Sequence, residues 1–114
     1  MRSSGADNIR PAIYDARYEA VVVNRAGDEP VETVTIAGKY CESGDILVKD
    51  ARLPRTLPGD VIALPTSGAY CLTMASNYNM ALKPAVAVVK DGDARLIRRR
   101  ETYADLLATD VWDG

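Results

Sequence analysis

Along this chain the apolar positions recur at every second residue far more often than at helical spacing. Tyr18-Glu-Ala-Val-Val-Val23 and Val31-Glu-Thr-Val-Thr-Ile36 are β-branched runs parted by a polar, turn-forming stretch, Asn24-Arg-Ala-Gly-Asp-Glu-Pro30. In the second run Val31, Thr33 and Thr35 fall on one face and Glu32, Val34 and Ile36 on the other. That imperfect alternation predicts a sheet covered partly on both sides. Ile46-Leu-Val-Lys49 continues into Asp50-Ala-Arg-Leu53 as a third strand with a bend, ended by Pro54 and Pro58-Gly-Asp60. Asp60-Val-Ile-Ala-Leu64 predicts a short fourth strand, stopped by Pro65. Pro84-Ala-Val-Ala-Val-Val-Lys90 and Ala94-Arg-Leu-Ile-Arg-Arg99 flank Asp91-Gly-Asp93, which predicts a hairpin with Gly at the centre of its loop.

Two segments lack this alternation. Gly68 to Tyr78 is rich in Ala, Leu and Met and predicts a short helix, with Asn77 and Asn79 near its end. Thr102-Tyr-Ala-Asp105 is a capping-box-like start for a second, with Leu106, Leu107 and Val111 as its apolar side. About six strands, two short helices and regular turn signals predict a mainly β fold, a small barrel-like domain or sandwich. No internal repeat or low-complexity segment interrupts it.

Composition narrows the chemistry. The 114 residues fit one domain that buries roughly two thirds of its unfolded surface. Fourteen Lys and Arg against 16 Asp and Glu give a net charge of −2, without the basic footprint that nucleic acid demands. With no His, Ser-His and Cys-His couples and imidazole-ligated metals are excluded. Cys41 and Cys71 form no CxxC, so neither a structural zinc nor a disulfide framework is indicated, and a reducing, intracellular setting is the simplest expectation. The longest apolar runs are about five residues where a membrane span needs about 20. Met1-Arg-Ser-Ser-Gly5 has no hydrophobic run behind it and reads as an expression start, which leaves 6–114 as the domain.

Three segments carry candidate chemistry, each with a plain structural alternative. Lys39-Tyr-Cys-Glu-Ser-Gly-Asp45 sets a thiol beside a carboxylate in the loop between the second and third strands. There Cys41 can move a proton and Glu42 can bind an ammonium group; the alternative is a buried Cys and a solvated turn. In Asp7-Asn-Ile-Arg-Pro-Ala-Ile-Tyr14, Pro11 pushes Arg10 towards extended backbone. Arg10 through its planar fork and Tyr14 through its hydroxyl can together hold a carboxylate; otherwise they are a surface charge and a core aromatic. Thr66-Ser-Gly-Ala-Tyr70 lies between a strand and a helix, where backbone amides attract phosphate, or else it is an ordinary turn. Arg98-Arg-Arg100 reads as a solvated strand edge.

The order of these elements is more specific than any one of them. Arg10-Pro-Ala-Ile-Tyr14, Tyr40-Cys-Glu-Ser-Gly-Asp45, Asp50-Ala-Arg-Leu-Pro54, Pro58-Gly-Asp60, Gly68-Ala-Tyr70 and Ala75-Ser-Asn-Tyr-Asn79 resemble the C-terminal part of diaminopimelate decarboxylases, from about Ala6 to Val111. The Cys-Glu-Ser-Gly-Asp element separates that family from alanine racemases of related architecture.

The resemblance implies a cytoplasmic, homodimeric lyase of lysine biosynthesis that uses pyridoxal 5'-phosphate and has two domains. One is a (β/α)₈ barrel bearing the cofactor's lysine; the other is a C-terminal β domain, and only the second is matched here. It implies that Arg10 and Tyr14 hold the substrate's far carboxylate and that Glu42 binds its far ammonium. Cys41 would donate a proton to the reacting carbon, and Tyr70 would touch cofactor phosphate and substrate. Cys41 and Glu42 would reach the other subunit's site. No metal, nucleic acid or membrane is expected, and the chain alone should be inactive. A non-catalytic interaction module, or the same domain from an ornithine, arginine or carboxy-polyamine decarboxylase, are the competing readings. Two departures stand out: Met1–Gly5 occupies the place of the domain junction, and Arg17-Tyr18 stands where an aromatic residue followed by His is common.

Overall fold

The computed structural model describes residues 5–112. Most of the expected expression start therefore lies outside the described residues; Gly5 lies inside, is buried, and donates its N–H to the Asp45 carboxylate. The chain divides into two compact units, Met1–Ala75 and Ser76–Gly114.

The first unit runs α1 (Arg10–Tyr14), β1 (Val21–Val22), a 3₁₀ turn (Val23–Arg25), β2 (Glu32–Ala37), β3 (Ile46–Leu53), β4 (Ile62–Ala63) and α2 (Gly68–Met74). β3 has the expected bounds, and its bend is a bulge. Val34 faces Ala51 and Ile36 faces Val48, so Lys49 and Asp50 together oppose Thr35. Asp50 absorbs the extra residue with φ +53, a conformation that Asp tolerates better than a branched residue. A second register shift, between the Ile36–Val48 and Ala37–Ile46 pairs, falls at Leu47, and the adjacent Leu47 and Val48 are both buried. With Val22, Ala51 and Leu53 they form the core, against which Tyr18, Ala20, Val34, Ile36 and Leu64 pack.

The expected barrel-like, mainly β domain with two short helices does not form. Among the described residues six strands make three separate antiparallel pairs, β1–β4, β2–β3 and β5–β6, and none closes on another. With three short α-helices this is a mixed α/β domain. Closure needs a continuous ladder around the ring, and two of the expected strands are too short to supply one. The first shrinks to Val21–Val22 because the chain turns at Val23–Arg25. The fourth shrinks to Ile62–Ala63 between Pro58 and Pro65, which have no N–H to give a ladder.

A polar knot holds this short β1–β4 pair. The Asp60 carboxylate accepts from Arg25, from Asn24 Nδ2 (3.0 Å) and from the Leu57 N–H (2.8 Å). Asn24 Oδ1 in turn accepts the Val61 N–H at 2.8 Å. Arg25 above all, then Asn24 and the Leu57 amide, pull the Asp60 pKa down from 3.8 to about 2.

The second unit holds a 3₁₀ turn (Tyr78–Met80), β5 (Val86–Lys90), β6 (Asp93–Arg98) and α3 (Tyr103–Leu106). The hairpin is present. Its loop is tighter than expected, Asp91-Gly92, with φ +53 and +83, as a primed turn requires, and Asp93 already in the strand. The Glu101 carboxylate accepts the Lys83 N–H (2.8 Å) and Asn77 Nδ2 (2.6 Å), bridging the segments on either side of the hairpin. α3 begins with the expected capping box of Thr102 and Asp105. Of the Arg98–Arg100 run, Arg99 grips Asp105 through two 2.6 Å bonds. No described helix is long and apolar enough to cross a membrane.

Because the folded Asp60 carboxyl is more acidic than an unfolded one, its contribution is present in full above pH 3.8 and fades as pH falls towards about 2. Acid unfolding followed by circular dichroism should therefore show Asp60→Asn less stable at neutral pH, with a shallower loss of stability across that window. An unchanged acid slope would count against the knot.

Candidate functional site

The most constrained element near the candidate residues is the Gly38–Asp45 connection from β2 to β3. Asp45 is 4% exposed, and a polar group so buried needs hydrogen-bond partners. It accepts the N–H groups of Gly5 and Tyr40, the latter at 2.9 Å. Its backbone adds Asp45 C=O from Gly38 N–H (2.8 Å) and Asp45 N–H to Glu42 C=O (3.0 Å). A Cβ on Gly38 would lie 2.1 Å from both carboxylate oxygens, so the loop closes only around glycine. At its tip Glu42 accepts the Gly44 N–H at 3.1 Å, and Cys41 and Glu42 both face solvent. Cys41 is thus an exposed thiol on a pinned loop, and the buried free thiol is Cys71.

Arg10 is not in extended backbone: it opens α1, with Pro11 in the first turn. The pre-proline preference yields because proline's missing N–H costs nothing there and its fixed φ suits a helix. Ile9 is already helical, and its C=O accepts the Ala12 and Ile13 amides, each at 3.1 Å. Tyr14, one turn on from Arg10 and so on the same side, is 64% exposed.

The Arg10 guanidinium has two anchors. Its carbon lies 5.3 Å from the centre of the Tyr70 ring, and Nη1 donates to the Tyr18 hydroxyl at 3.1 Å. Nε and Nη2, the pair that engages a carboxylate side-on, have no protein partner among the described residues. Behind Tyr18, its hydroxyl meets Cys71 Sγ at 3.5 Å, and Sγ meets Asn8 Oδ1 at 3.1 Å. The Cys71 thiol and burial push the Tyr18 pKa up, against Arg10, which pulls it down.

Tyr70 is 70% exposed and sits at φ +67, ψ −33, a costly backbone for a bulky residue; Thr66, β-branched, has φ +58 in the same turn. Such strain gathers at ligand sites. The expected run of helix-start amides is absent, because Ala69 and Tyr70 leave helical geometry and split α2. What the turn presents is the Tyr70 side chain itself.

A groove of about 850 Å³ runs between α1 and β3, lined by Tyr14, Tyr18, Ser43, Gly44 and Lys49 among others. The fold therefore joins Arg10 with Tyr70, and Tyr14 with the Ser43-Gly44 side of the loop. Among the described residues no hydrogen bond of Cys41 or Arg10 links the loop tip to the guanidinium. Tyr18, Cys71 and Asn8 were not among the candidate residues; no local pattern marks them, since they meet across 53 and 63 positions of chain.

The chain as a whole resembles known proteins. Residues 1–68 match the family model described as "Pyridoxal-dependent decarboxylase, C-terminal sheet domain". The chain is 53% identical over 105 residues to a diaminopimelate decarboxylase of Synechocystis sp., covering 92% of this chain and 22% of that protein. It is 50% identical over 105 residues to the diaminopimelate decarboxylase of Bacillus subtilis, covering 92% and 24%. Among solved structures it superposes on diaminopimelate decarboxylase from M. jannaschii in complex with L-lysine with a TM-score of 0.86 and 37% identity, over 97% of this chain and 25% of that one. The Helicobacter pylori enzyme complexed with L-lysine gives 0.82 and 36%, over 94% and 26%. The chain thus spans about a quarter of the length of the relatives it matches.

Gly38→Ala should force the Asp45 carboxylate off its amide partners and cost about 1–3 kcal/mol, the range for overpacking a filled site. Amide exchange would report it: Gly5 and Tyr40 should lose protection together, while the β5–β6 hairpin amides keep theirs. Unaltered protection at Gly5 and Tyr40 would show that the loop does not depend on this carboxylate.

Proposed function

This chain belongs to the family of C-terminal sheet domains of pyridoxal-dependent decarboxylases, and from that premise we propose that it serves a diaminopimelate decarboxylase, which converts meso-2,6-diaminopimelate to L-lysine and carbon dioxide. The observation that carries the reading is Arg10: a guanidinium lying over the Tyr70 ring, tethered by Tyr18, whose carboxylate-binding edge has no partner among the described residues. Arg10, assisted by the Tyr14 hydroxyl one turn away, holds the substrate's far carboxylate. The Glu42 carboxylate takes the far ammonium. A far end bearing both charges distinguishes this substrate from ornithine or arginine, which carry no second carboxylate.

Pyridoxal 5'-phosphate, when bound, supplies the electron sink for the pair left on carbon as carbon dioxide departs. The Tyr70 hydroxyl, exposed and projected by its strained backbone, is a donor that fits one of the cofactor's phosphate oxygens. Residues elsewhere in the intact protein carry the cofactor itself. The Cys41 thiol gives its proton to the carbon that has lost carbon dioxide, and its place at the tip of a pinned loop suits delivery into a partner subunit's site within a homodimer.

In the intact enzyme, Cys41→Ala should lower kcat by about 10²–10⁴-fold with little change in KM, the range for a lost proton donor. Glu42→Gln should act mainly on KM for diaminopimelate. Steady-state kinetics of both variants test the assignment, and wild-type rates in either would remove that residue from the site.

A further inference from the structure

We propose that Tyr18, backed by Cys71 and Asn8, is a positioning residue that aims the Arg10 guanidinium at the substrate's far carboxylate, an inference that rests on the carboxylate-binding role given to Arg10 above. The chain of contacts runs Arg10 Nη1, Tyr18 Oη, Cys71 Sγ, Asn8 Oδ1, at 3.1, 3.5 and 3.1 Å. Its two ends fix the direction of every link. A guanidinium only donates and an amide oxygen only accepts. The Cys71 hydrogen is used on Asn8 Oδ1, so the Tyr18 hydrogen points to Sγ, and the lone pair of Oη is left to accept from Arg10. Each hydrogen has one acceptor and the relay has one polarity.

Burial makes that polarity rigid. Asn8 and Cys71 are each 5% exposed, so the Cys71–Asn8 link is shielded from water and the Tyr18–Cys71 link partly so, and hydrogen bonds at low dielectric reinforce one another. The raised Tyr18 pKa keeps the hydroxyl protonated, as the relay needs. Tyr18 holds the guanidinium through Nη1 while the Tyr70 ring lies 5.3 Å from its carbon. Together they leave Nε and Nη2 without a partner among the described residues. An arginine held only by ring stacking can swing about its long stem, and ordering it on ligand binding then weakens affinity.

The test compares two inhibitors of the intact enzyme: L-lysine, which keeps the far carboxylate, and cadaverine, the same carbon chain and amines without it. Tyr18→Phe should raise the inhibition constant of L-lysine about tenfold, the size of one hydrogen bond to a charged group. The cadaverine constant should stay within about twofold, and KM for diaminopimelate should rise while kcat holds. Cys71→Ala should shift L-lysine in the same direction by less, and Cys71→Ser, which restores a donor and acceptor, should reverse it. Equal shifts for both inhibitors, or no shift in either Tyr18→Phe or Cys71→Ala, would overturn the proposal. Should Tyr18→Phe fail to fold, the Cys71 pair decides alone. Arg10→Lys separates the two levels. If it raises the L-lysine constant and Tyr18→Phe does not, only the relay fails; if it does not, the carboxylate role of Arg10 fails first.

Discussion

A single buried carboxylate sets the shape of the loop that bears Cys41 and Glu42. Asp45 closes the β2–β3 connection by collecting amides from Gly5, some 40 positions away along the chain, and from Tyr40 within the loop. Burying a charge is unfavourable unless donors surround it, and breaking such a set leaves an uncompensated charge. The loop is therefore held or lost as a unit, and Gly38 is tied to it because any side chain there would occupy the carboxylate's own space. Cys41 and Glu42 inherit their position from this knot while remaining exposed themselves.

Around Arg10 the constraint is of a different kind. Its guanidinium is restrained by two tyrosines, one through its ring and one through its hydroxyl. Tyr70 gets there only by adopting a left-handed backbone, and Thr66 shares that strain. The surrounding packing must over-determine the turn for it to persist. Tyr14, Tyr70 and Cys41 are all exposed.

The second unit is held by shorter-range devices. Asp91-Gly92 sets the hairpin turn, Glu101 clamps the two segments flanking it, and Arg99 locks onto the carboxylate that also caps α3. Val88, Val89, Leu96 and Ile97 are nonetheless exposed, although neighbours in a strand point to opposite faces. Both faces of this hairpin therefore present apolar side chains.

What could be read from the sequence alone is what depends on near neighbours. The bounds of β3, the hairpin, the Thr102–Asp105 cap and the loop position of Cys41 and Glu42 follow from alternation, turn residues and spacing within a few positions. The ordered motifs likewise sufficed to indicate the family. What only the tertiary structure decided is what depends on distant partners or on a balance between them. Whether short strands close into a barrel depends on ladder length, and the turn at Val23–Arg25 and two prolines left two residues in each of β1 and β4. Arg10 entered a helix because a proline in the first turn helps the helix more than it hinders the residue before it. The line from Arg10 through Tyr18 to Cys71 and Asn8 joins three residues of one short segment through a cysteine more than 50 positions further along, so only folding completes it. Periodicity records which way a side chain faces; it cannot record what meets it there.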